Sequence, residues 1–365
     1  MTEPRRTPLY DLHRELGARI VDFAGWAMPV QYPTGIIAEH RQCRTAAALF
    51  DVSHMGQLRI DGTDPAGALE WLVPADLRSL ALDRARYTVL TLEDGGIIDD
   101  LIVSQAGDHL FVVVNAGGRE GDLAHLQRHL PADAKVTPLF DRALLALQGP
   151  AAVTVLSRIC PNCEFLPFMG TAELPVDGIP ARVSRLGYTG EDGFEVSVPA
   201  EAAVDLARRL LAAPEVLPAG LGARDSLRLE AGLCLYGHDI DRTTTPIEAG
   251  IAWSIGRRRR AEGGFPGAGI ILDQLAGGAP RQLVGLRPTG RAPAREGTEI
   301  QDTSGRPIGT VTSGGFGPTV DGPVAMGYVA AAAAEPDTEV QLLVRGKPLP
   351  ARIVSLPFVP HRYHR

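Results

Sequence analysis

Two adjacent carboxylates, Asp99 and Asp100, lie inside a run of apolar residues and are the first candidates for chemistry in this sequence. The flanking residues are β-branched or bulky, and a turn signal at 93–96 precedes them, so 95–103 is predicted to be a strand leaving a hairpin. Successive side chains on a strand point to opposite faces, so only one of the two carboxylates can face a given core. The one that points inward needs hydrogen-bond donors or has a function. From this window alone, a sheet edge where both carboxylates are solvated is the favoured interpretation.

A second set of candidates combines aromatic, carboxylate, amide and arginine side chains near glycine-marked loops. Its members are Tyr87, Asp100, Asn115, Tyr188, Glu195, Arg224, Tyr236 and Trp253. A carboxylate accepts hydrogen bonds from a pair of N–H groups, an aromatic ring stacks on a ring face, and arginine binds a carboxylate through two parallel hydrogen bonds. The set therefore suits a flat polar heterocycle. Taken singly, each residue is better explained as a half-buried core position or an ordinary ion pair.

Several well-known catalytic signatures are absent from the sequence. It contains no G-x-x-x-x-G-K-[ST] phosphate loop, no H-E-x-x-H metal helix and no G-x-S-x-G nucleophile turn. The glycines at 220 and 222 lack the third glycine of a dinucleotide site, so NAD or flavin chemistry is disfavoured. His125 and His129 are spaced for a metal pair but have no third ligand, and a solvated helix face is favoured. Cys160 and Cys163 form a lone C-x-x-C, for which a structural role is favoured. No metal, NAD or flavin is expected.

The elements around these candidates mix helices and strands without strict alternation, which favours an α+β fold. Helical spacing predicts helices at 10–17, 35–48, 64–72, 119–130, 151–159 and 201–212. Strands are predicted at 19–23, 57–60, 87–91, 110–114, 143–147, 182–186 and 194–198. From residue 281 onward, short β segments separated by Gly, Pro and Asp predict a separate C-terminal barrel or sandwich. Four arginines at 257–260 precede a Gly- and Pro-rich stretch, which indicates a solvated turn at a domain boundary or a docking patch for an acidic partner.

Composition limits the class of protein. The 365 residues are 45% hydrophobic and 22% charged, as in ordinary globular proteins, and the length predicts two to three domains. A net charge of -7 argues against broad nucleic-acid binding. The sequence shows no secretory signal, no apolar run long enough to cross a membrane, and too few cysteines for a disulfide framework. A cytoplasmic protein with no nucleic-acid or membrane partner is expected.

Seven short motifs together resemble the glycine cleavage system T-protein (aminomethyltransferase) family. They are VDFAGW at 21–26, FDVSHMG at 50–56, GGIIDD at 95–100, GYTGEDGFE at 187–195, GLGARD at 220–225, TSG at 312–314 and PFVP at 357–360. They occur in that family's order, and the resemblance covers essentially the whole chain. It implies a multi-domain, cloverleaf, folate-binding α+β fold with a small C-terminal β-barrel. The expected division is a folate-binding region at 1–265, with about 55–140 inserted as a subdomain, a linker at 266–280 and the barrel at 281–365.

The resemblance also implies a reaction and a set of residue roles. The family moves the methylene of an aminomethyl group, carried on the lipoyl arm of the H-protein, to the co-substrate tetrahydrofolate. The products are 5,10-methylenetetrahydrofolate and ammonia. By this resemblance Asp100 is the catalytic carboxylate, Glu195 binds the pterin edge, Arg224 contacts the folate and Tyr363 is a further folate contact. The expected pocket walls are Met55, Tyr87, Asn115, Tyr188, Tyr236 and Trp253.

Two other activities fit the same fold. One is a tetrahydrofolate-dependent demethylase acting on another one-carbon donor. The other is a non-catalytic folate-binding protein, although the K-G-C-x-x-G-Q-E type motif of a related protein linked to iron–sulfur cluster maintenance is absent. The arginines at 257–260 are hypothesised to dock an acidic H-protein, because they are dense in an otherwise acidic chain.

Overall fold

A computed structural model describes residues 3–365 of the chain. Its α-helices are α1 (Tyr10–Glu15), α2 (Ile36–Thr45), α3 (Pro65–Glu70), α4 (Arg119–His129), α5 (Ala152–Leu156), α6 (Ala203–Leu211), α7 (Leu221–Glu230), α8 (Arg257–Glu262) and α9 (Ala268–Gly277). Its strands are β1 (Arg5–Arg6), β2 (Arg19–Phe23), β3 (Trp26–Gln31), β4 (Ala47–Asp51), β5 (Gly56–Asp61), β6 (Ala85–Thr91), β7 (Ile97–Gln105), β8 (His109–Val114), β9 (Lys135–Pro138), β10 (Arg142–Gln148), β11 (Thr171–Val176), β12 (Ile179–Ser184), β13 (Gly193–Pro199), β14 (Val216–Pro218), β15 (Arg281–Pro288), β16 (Glu299–Gln301), β17 (Pro307–Gly317), β18 (Gly322–Ala330), β19 (Glu339–Val344) and β20 (Lys347–Val354).

A five-stranded sheet in the order β6-β7-β8-β5-β9 carries the two adjacent carboxylates. The sheet spans 56–138, close to the predicted inserted subdomain at about 55–140, although that subdomain division stays a prediction. Strands β6 and β7 form the predicted hairpin, with Val89 opposite Asp100 and Leu90 opposite Asp99. The register then shifts, so that Thr91 pairs with Ile97 and Ile98 is the extra residue of a β-bulge. The bulge lets Ile98 join the same core as Leu90 while the strand enters the hairpin turn.

A six-stranded sheet in the order β11-β12-β13-β10-β4-β14 forms the largest core of the chain. Strands β10 and β13 are almost wholly buried, and one face of both strands packs on the helices α5 and α6. The other face of β10 packs on α7, on Cys43 of α2 and on Phe111 and Val113 of β8. A three-stranded sheet in the order β1-β3-β2 lies beside α7. Helix α7 also packs against β17 of the C-terminal region, so it connects the GLGARD motif at 220–225 to the barrel.

The C-terminal strands close into a barrel in the order β15-β18-β17-β16-β19-β20. Full closure leaves no open sheet edge, and alternate side chains fill the interior. The predicted α+β class and the predicted C-terminal barrel are thereby confirmed. Helix α9 (Ala268–Gly277) lies within the predicted linker at 266–280, and the predicted division into domains stays a prediction. In this helix Ile271 is buried beside Ile255 and Phe265. Apolar contacts of this kind with other segments stabilise a short helix.

Two of the predicted helices extend three residues beyond the C-terminal ends of the helices observed. The helix predicted at 35–48 ends at Thr45, and Ala47 begins β4, which pairs with β10 and β14. The helix predicted at 151–159 is the short α5, followed by turns that lead to Cys160. In both places apolar residues continue past the helix, into a buried strand after α2 and into turns after α5, so periodicity alone could not mark the boundary.

Candidate active site

Asp100 occupies the centre of the site, on the face of β7 that it shares with its cross-strand neighbour Val89. Asn115 follows β8 directly, and its side-chain amide donates a 2.6 Å hydrogen bond to Asp100 Oδ1. The Tyr87 hydroxyl lies in hydrogen-bonding contact with the same carboxylate. Asp100 is half-buried, so its remaining acceptor capacity faces a space bounded by these side chains.

Burial and the neighbouring Asp99 charge raise the pKa of Asp100 to about 7. Burial disfavours the ionised form, and a like charge adds to that effect. The hydrogen bonds from Asn115 and Tyr87 oppose the rise because they stabilise the carboxylate. A carboxyl group with this pKa exchanges a proton near neutral pH, which suits general acid or base chemistry.

Asp99 lies on the other face of β7 and is fully buried. Its Oδ1 accepts hydrogen bonds from the Asp100 backbone N–H at 2.9 Å and from Asn115 Nδ2 at 2.7 Å. Its Oδ2 accepts from the Asn115 backbone N–H at 3.3 Å. The opposite orientation predicted by strand alternation is confirmed. Asn115 contacts both carboxylates, so the two faces are joined through one amide.

Aromatic side chains form a wall beside Asp100. The rings of Tyr87 and Trp253 lie 5.2 Å apart between centroids, and Trp253 is 64% exposed at the surface. The Tyr188 hydroxyl donates a hydrogen bond to the Cys234 carbonyl. Burial raises the pKa of both tyrosines well above the usual value of a phenol. For Tyr87, the charge of Asp100 is the next largest cause. Both phenols therefore stay protonated and act as donors at neutral pH.

Glu195 on β13 and Arg224 on α7 form a second polar group within the same region. Arg224 Nη2 lies 4.0 Å from Glu195 Oε1, and the guanidinium lies 5.1 Å from the centroid of the Tyr188 ring. Both side chains are nearly closed to solvent, and Arg224 Nη1 is buried with no hydrogen-bond partner among residues 3–365. Burial raises the pKa of Glu195 and lowers that of Arg224. A buried pair with so few hydrogen bonds is incomplete, and it has the donors and acceptors to hold a polar heterocycle.

The other predicted pocket residues lie at different distances from this centre. The Tyr236 hydroxyl reaches the Ile97 carbonyl at 3.4 Å, at the start of β7. Met55 packs with the core that contains Phe111 and Val113. Tyr363 stacks on Phe168 with centroids 4.1 Å apart, and within the described residues no hydrogen bond or aromatic contact joins it to the Asp100 group. The structure therefore brings Tyr87, Asn115, Tyr188 and Trp253 around Asp100 more closely than Met55 or Tyr363.

Two contributors to the site were missed by sequence reasoning. The Cys234 carbonyl accepts the hydrogen bond of the Tyr188 hydroxyl. Since every residue has a backbone oxygen, the sequence could not predict this contact. Asp122 on α4 is buried, and its Oδ2 lies beside Gly118, as does Asp99 Oδ2. Its signal was present in the sequence, since Asp122 lies four residues before the buried Leu126 and so falls on the apolar face of the helix.

Family models match nearly the whole chain. One, described as "GCVT N-terminal domain", matches residues 9–259, and a second, "Glycine cleavage T-protein C-terminal barrel domain", matches residues 281–360. The chain belongs to the glycine cleavage T-protein family. The family assignment made from the seven motifs is thus confirmed.

Similar proteins carry the same enzyme name. The chain is 47% identical to "Aminomethyltransferase, mitochondrial" of Dictyostelium discoideum, over 100% of this chain and 94% of that protein. It is 48% identical to the Gallus gallus enzyme of that name, over 99% and 94%. The crystal structure of glycine cleavage system aminomethyltransferase T from Bartonella henselae matches with a TM-score of 0.95 and 44% identity, covering 99% of each chain. This family member is therefore an enzyme, an aminomethyltransferase of the glycine cleavage system with the T-protein fold.

The four arginines of this family member do not form the predicted solvated turn. Residues 257–262 form α8, in which Arg258 donates to Glu70 at 2.6 Å and to Asp76 at 2.8 Å. Arg259 is buried and donates to the Glu70 carbonyl, and Arg260 donates to two backbone carbonyls. The turn prediction is wrong because buried acceptors near 70–76 and the backbone at 252–255 take up these donors. The docking hypothesis is weakened, since of the four only the exposed Arg257 makes no side-chain hydrogen bond within the described chain.

The paired cysteines and histidines have structural surroundings. Cys160 and Cys163 are free thiols buried in the core of the six-stranded sheet, in line with a structural role. His129 is exposed and its ring lies 4.4 Å from that of half-buried His125, beside a groove of about 670 Å³ that contains none of the predicted site residues. No cluster of three or more His, Cys, Asp or Glu with metal-binding geometry occurs within residues 3–365. Across the same residues, no helix combines the length and the apolar character needed to cross a bilayer.

Proposed function

We propose that this aminomethyltransferase transfers the methylene of an aminomethyl group from the lipoyl arm of an H-protein to tetrahydrofolate. The bonds broken join the methylene carbon to the lipoyl sulfur and to the amino nitrogen, and the bonds formed join that carbon to N5 and N10 of the folate. The two folate N–H protons go to the thiolate and to ammonia, so the products are the dihydrolipoyl H-protein, 5,10-methylenetetrahydrofolate and ammonium. No oxidation state changes in this exchange, and no redox cofactor is needed.

The observation that carries this proposal is a proton-exchanging carboxylate close to an incomplete Glu–Arg pair. Glu195 and Arg224 would hold the polar edge of the folate, because Arg224 Nη1 is buried without a hydrogen-bond partner in the described chain and Glu195 is 4.0 Å from the nearest guanidinium nitrogen. Tyr188, Tyr87 and Trp253 would line the flat rings. Met55, Tyr236 and Tyr363 are proposed as outer contacts of the folate or the lipoyl arm.

Asp100 has two tasks in this proposal. Positive charge builds on the methylene carbon as the amine leaves, and a fixed carboxylate close to that carbon stabilises the charge. Because its pKa is raised to about 7, Asp100 also accepts a proton from the folate or returns one to the leaving amine near neutral pH. Asn115 and Tyr87 keep the carboxylate oriented through both steps.

The decisive experiment measures tetrahydrofolate-dependent ammonia release from lipoylated H-protein loaded with the aminomethyl group. We expect ammonia and 5,10-methylenetetrahydrofolate in equal amounts, and no ammonia above background when the folate is omitted. If ammonia is not released but N-methyl donors are demethylated with tetrahydrofolate, the demethylase activity replaces this proposal. If folate binds and neither donor is consumed, the chain is a non-catalytic folate-binding protein.

The Glu195–Arg224 pair can be tested separately from the chemistry. In Glu195→Gln and Arg224→Lys variants, we expect the KM for tetrahydrofolate to rise about tenfold or more, because a buried hydrogen bond to a charged group is lost or misdirected. The KM for H-protein serves as the internal control and should change little. An equal rise of both KM values would contradict a folate-binding role for the pair.

The cellular setting stays a proposal as well. The sequence predicts a cytoplasmic enzyme with no nucleic-acid or membrane partner, whereas the enzymes of Dictyostelium discoideum and Gallus gallus are named mitochondrial. Fractionation of the source cells, with immunodetection of this chain, distinguishes the two locations. Co-purification of H-protein in the same fraction would support the proposed partner.

A further inference from the structure

Asp122 is a buried carboxyl group without a role in the proposed transfer chemistry. It lies in the first turns of α4, the helix that packs against β5 and β9, and its backbone N–H continues the helix by donating to the Gly118 carbonyl at 2.8 Å. Its Oδ2 and Asp99 Oδ2 both border Gly118, each within 2.8 Å of the position that a Cβ would take there. Asp122 Oδ2 is buried, and no N–H donor within residues 3–365 reaches it.

Two carboxyl groups can form a hydrogen bond only when one of them is protonated. Asp99 already accepts three N–H groups, from the Asp100 backbone and from the backbone and side chain of Asn115. Burial raises the pKa of Asp99, and these donors oppose that rise, whereas no N–H group reaches Asp122 Oδ2. Within the pair the negative charge is therefore better stabilised on Asp99. Burial and the charges of Asp99 and Asp100 raise the pKa of Asp122 to about 10, so Asp122 keeps its proton and has an O–H group that can donate a hydrogen bond to Asp99.

Gly118 permits this close approach. A Cβ at position 118 would lie 2.7 Å from Asp99 Oδ2 and 2.8 Å from Asp122 Oδ2, closer than real contacts allow. The backbone of Gly118 has φ of -93°, which any residue adopts, so the absence of a side chain is required by the carboxyl pair and not by the turn. A Cβ at Gly121, in the same helix, would meet no atom of another segment within 4 Å, so that position carries no such constraint.

We propose that Asp122, as a neutral carboxylic acid, is a positioning residue for the transfer reaction: it holds Asp99 ionised and thereby fixes Asn115 and the Asp100 carboxylate. The inference rests on the proposed function, because it assigns Asp100 the reacting role. Asp99 receives the fourth donor from Asp122 and accepts from the backbone and side-chain N–H groups of Asn115, whose amide also donates to Asp100 Oδ1. The ionised Asp99 in turn keeps the proton affinity of Asp100 high.

The other titratable groups near the pair do not supply this proton at neutral pH. Tyr236 faces the pair, and burial followed by the Asp99 charge raises its pKa to about 12. Arg242 lies near Tyr236 and His125, and burial lowers the pKa of His125 so that its ring is neutral. Asp122 is therefore the carboxyl group that stays protonated beside Asp99 while Asp100 titrates.

The test compares Asp122→Leu, which has a similar shape and no donor, with Asp122→Asn, whose amide donates without needing a proton. We expect Asp122→Leu to lower kcat by roughly 10- to 100-fold, because a buried charge loses one donor and the reacting carboxylate is displaced. The pKa of Asp100 should fall in that variant, since Asp99 becomes harder to ionise and its charge no longer opposes that of Asp100. The Asp122→Asn variant should recover most of the rate and the wild-type pH profile.

A glycine pair supplies the matched control if Asp122→Leu fails to fold. Gly118→Ala should separate the two carboxyl groups and lower kcat in the same direction, whereas Gly121→Ala on the same helix should leave kcat at the wild-type value. Thermal melting of all four variants accompanies the kinetics. Equal kcat in Gly118→Ala and Gly121→Ala, or equal losses in Asp122→Asn and Asp122→Leu, would overturn the proposal.

A second readout separates this inference from the proposed function. Carbon-13 NMR titration of the Asp100 carboxyl in the free enzyme requires neither folate nor H-protein. An Asp100 pKa that is lower in Asp122→Leu than in wild type and unchanged in Asp122→Asn supports the positioning role, even where the wild-type enzyme shows no tetrahydrofolate-dependent turnover. An Asp100 pKa identical in all three proteins overturns it, whatever the activity.

Discussion

The two faces of strand β7 place neighbouring aspartates in opposite settings. On one face Asp100 is half-buried beside Tyr87, and the exposed ring of Trp253 borders the same space. On the other face Asp99 is fully buried beneath α4, with three N–H donors and one carboxylic acid around it. The residue type is the same, and the positions are one peptide apart. Access and the number of donors therefore decide which carboxylate can react and which can only support it.

The largest expected difference between the faces is in turnover. Asp100→Asn should lower kcat about 100- to 10,000-fold, because it removes the proton-exchanging group and the charge close to the reacting carbon. Asp99→Asn should lower kcat much less. The exposed hairpin variant Glu93→Gln is the control, and all three are compared in the ammonia-release assay. Equal losses of kcat in the two aspartate variants, with unchanged melting temperatures, would remove the distinction between the faces.

Stability should show the reverse order. Asp99→Asn replaces a buried carboxylate, which only accepts hydrogen bonds, with an amide whose own N–H group would face the N–H groups of Asp100 and Asn115. We therefore expect a loss of about 2–3 kcal/mol in the free energy of unfolding. Asp100→Asn at pH 7 should change this free energy much less, since the side chain is half-buried. Urea unfolding at matched protein concentration measures both. If the free energy of unfolding of Asp99→Asn equals that of wild type, the expected loss is wrong. The N–H groups of Asp100 and Asn115 would then tolerate the amide in place of the carboxylate.

Loss of the hydrogen bond from Tyr87 should change the pKa of Asp100 and leave Asp99, on the other face of β7, unaffected. Tyr87→Phe removes a donor from the Asp100 carboxylate, so the pKa of Asp100 should rise and kcat/KM at pH 7 should fall about tenfold. The acidic limb of the pH profile should move to higher pH. Tyr10→Phe, on α1, controls for loss of a phenol elsewhere. An unchanged pH profile in Tyr87→Phe would mean that Asn115 by itself sets the proton affinity of Asp100.

The smallest expected effect is a pH dependence of stability. The pKa of Asp100 is about 7 in the folded chain and 3.8 is its ordinary value, so the folded state binds the proton more tightly. Its contribution to stability is complete below about pH 4 and is lost as pH rises through 7. Asp100→Asn lacks this loss, so its stability relative to wild type should increase between pH 5 and pH 8, by about 1 kcal/mol after discounting for partial exposure. A difference that shrinks over this interval would contradict a raised pKa.

Local patterns were enough to predict many of the elements. The hairpin at 93–96, the strand that carries Asp99 and Asp100, and the helix that begins at Arg119 follow from turn residues and periodicity. The arginine run at 257–260 led to a wrong prediction of a solvated turn, because a dense run of charges usually indicates a solvated surface. Its donors are instead taken up by Glu70 and Asp76, almost two hundred residues earlier in the chain. No local pattern records such a long-range partner.

The sequence by itself determined the family, the α+β class with its C-terminal barrel, and the alternation that sends Asp99 and Asp100 to opposite faces. These depend on local residue order and on motifs read along the chain. Only the tertiary structure decided which face is closed, that Asn115 bridges the two carboxylates, and that Asp122 meets Asp99 across the space left by Gly118. The physical reason is that burial and hydrogen-bond partners are set by segments distant in sequence, and these set the charge on each carboxyl group.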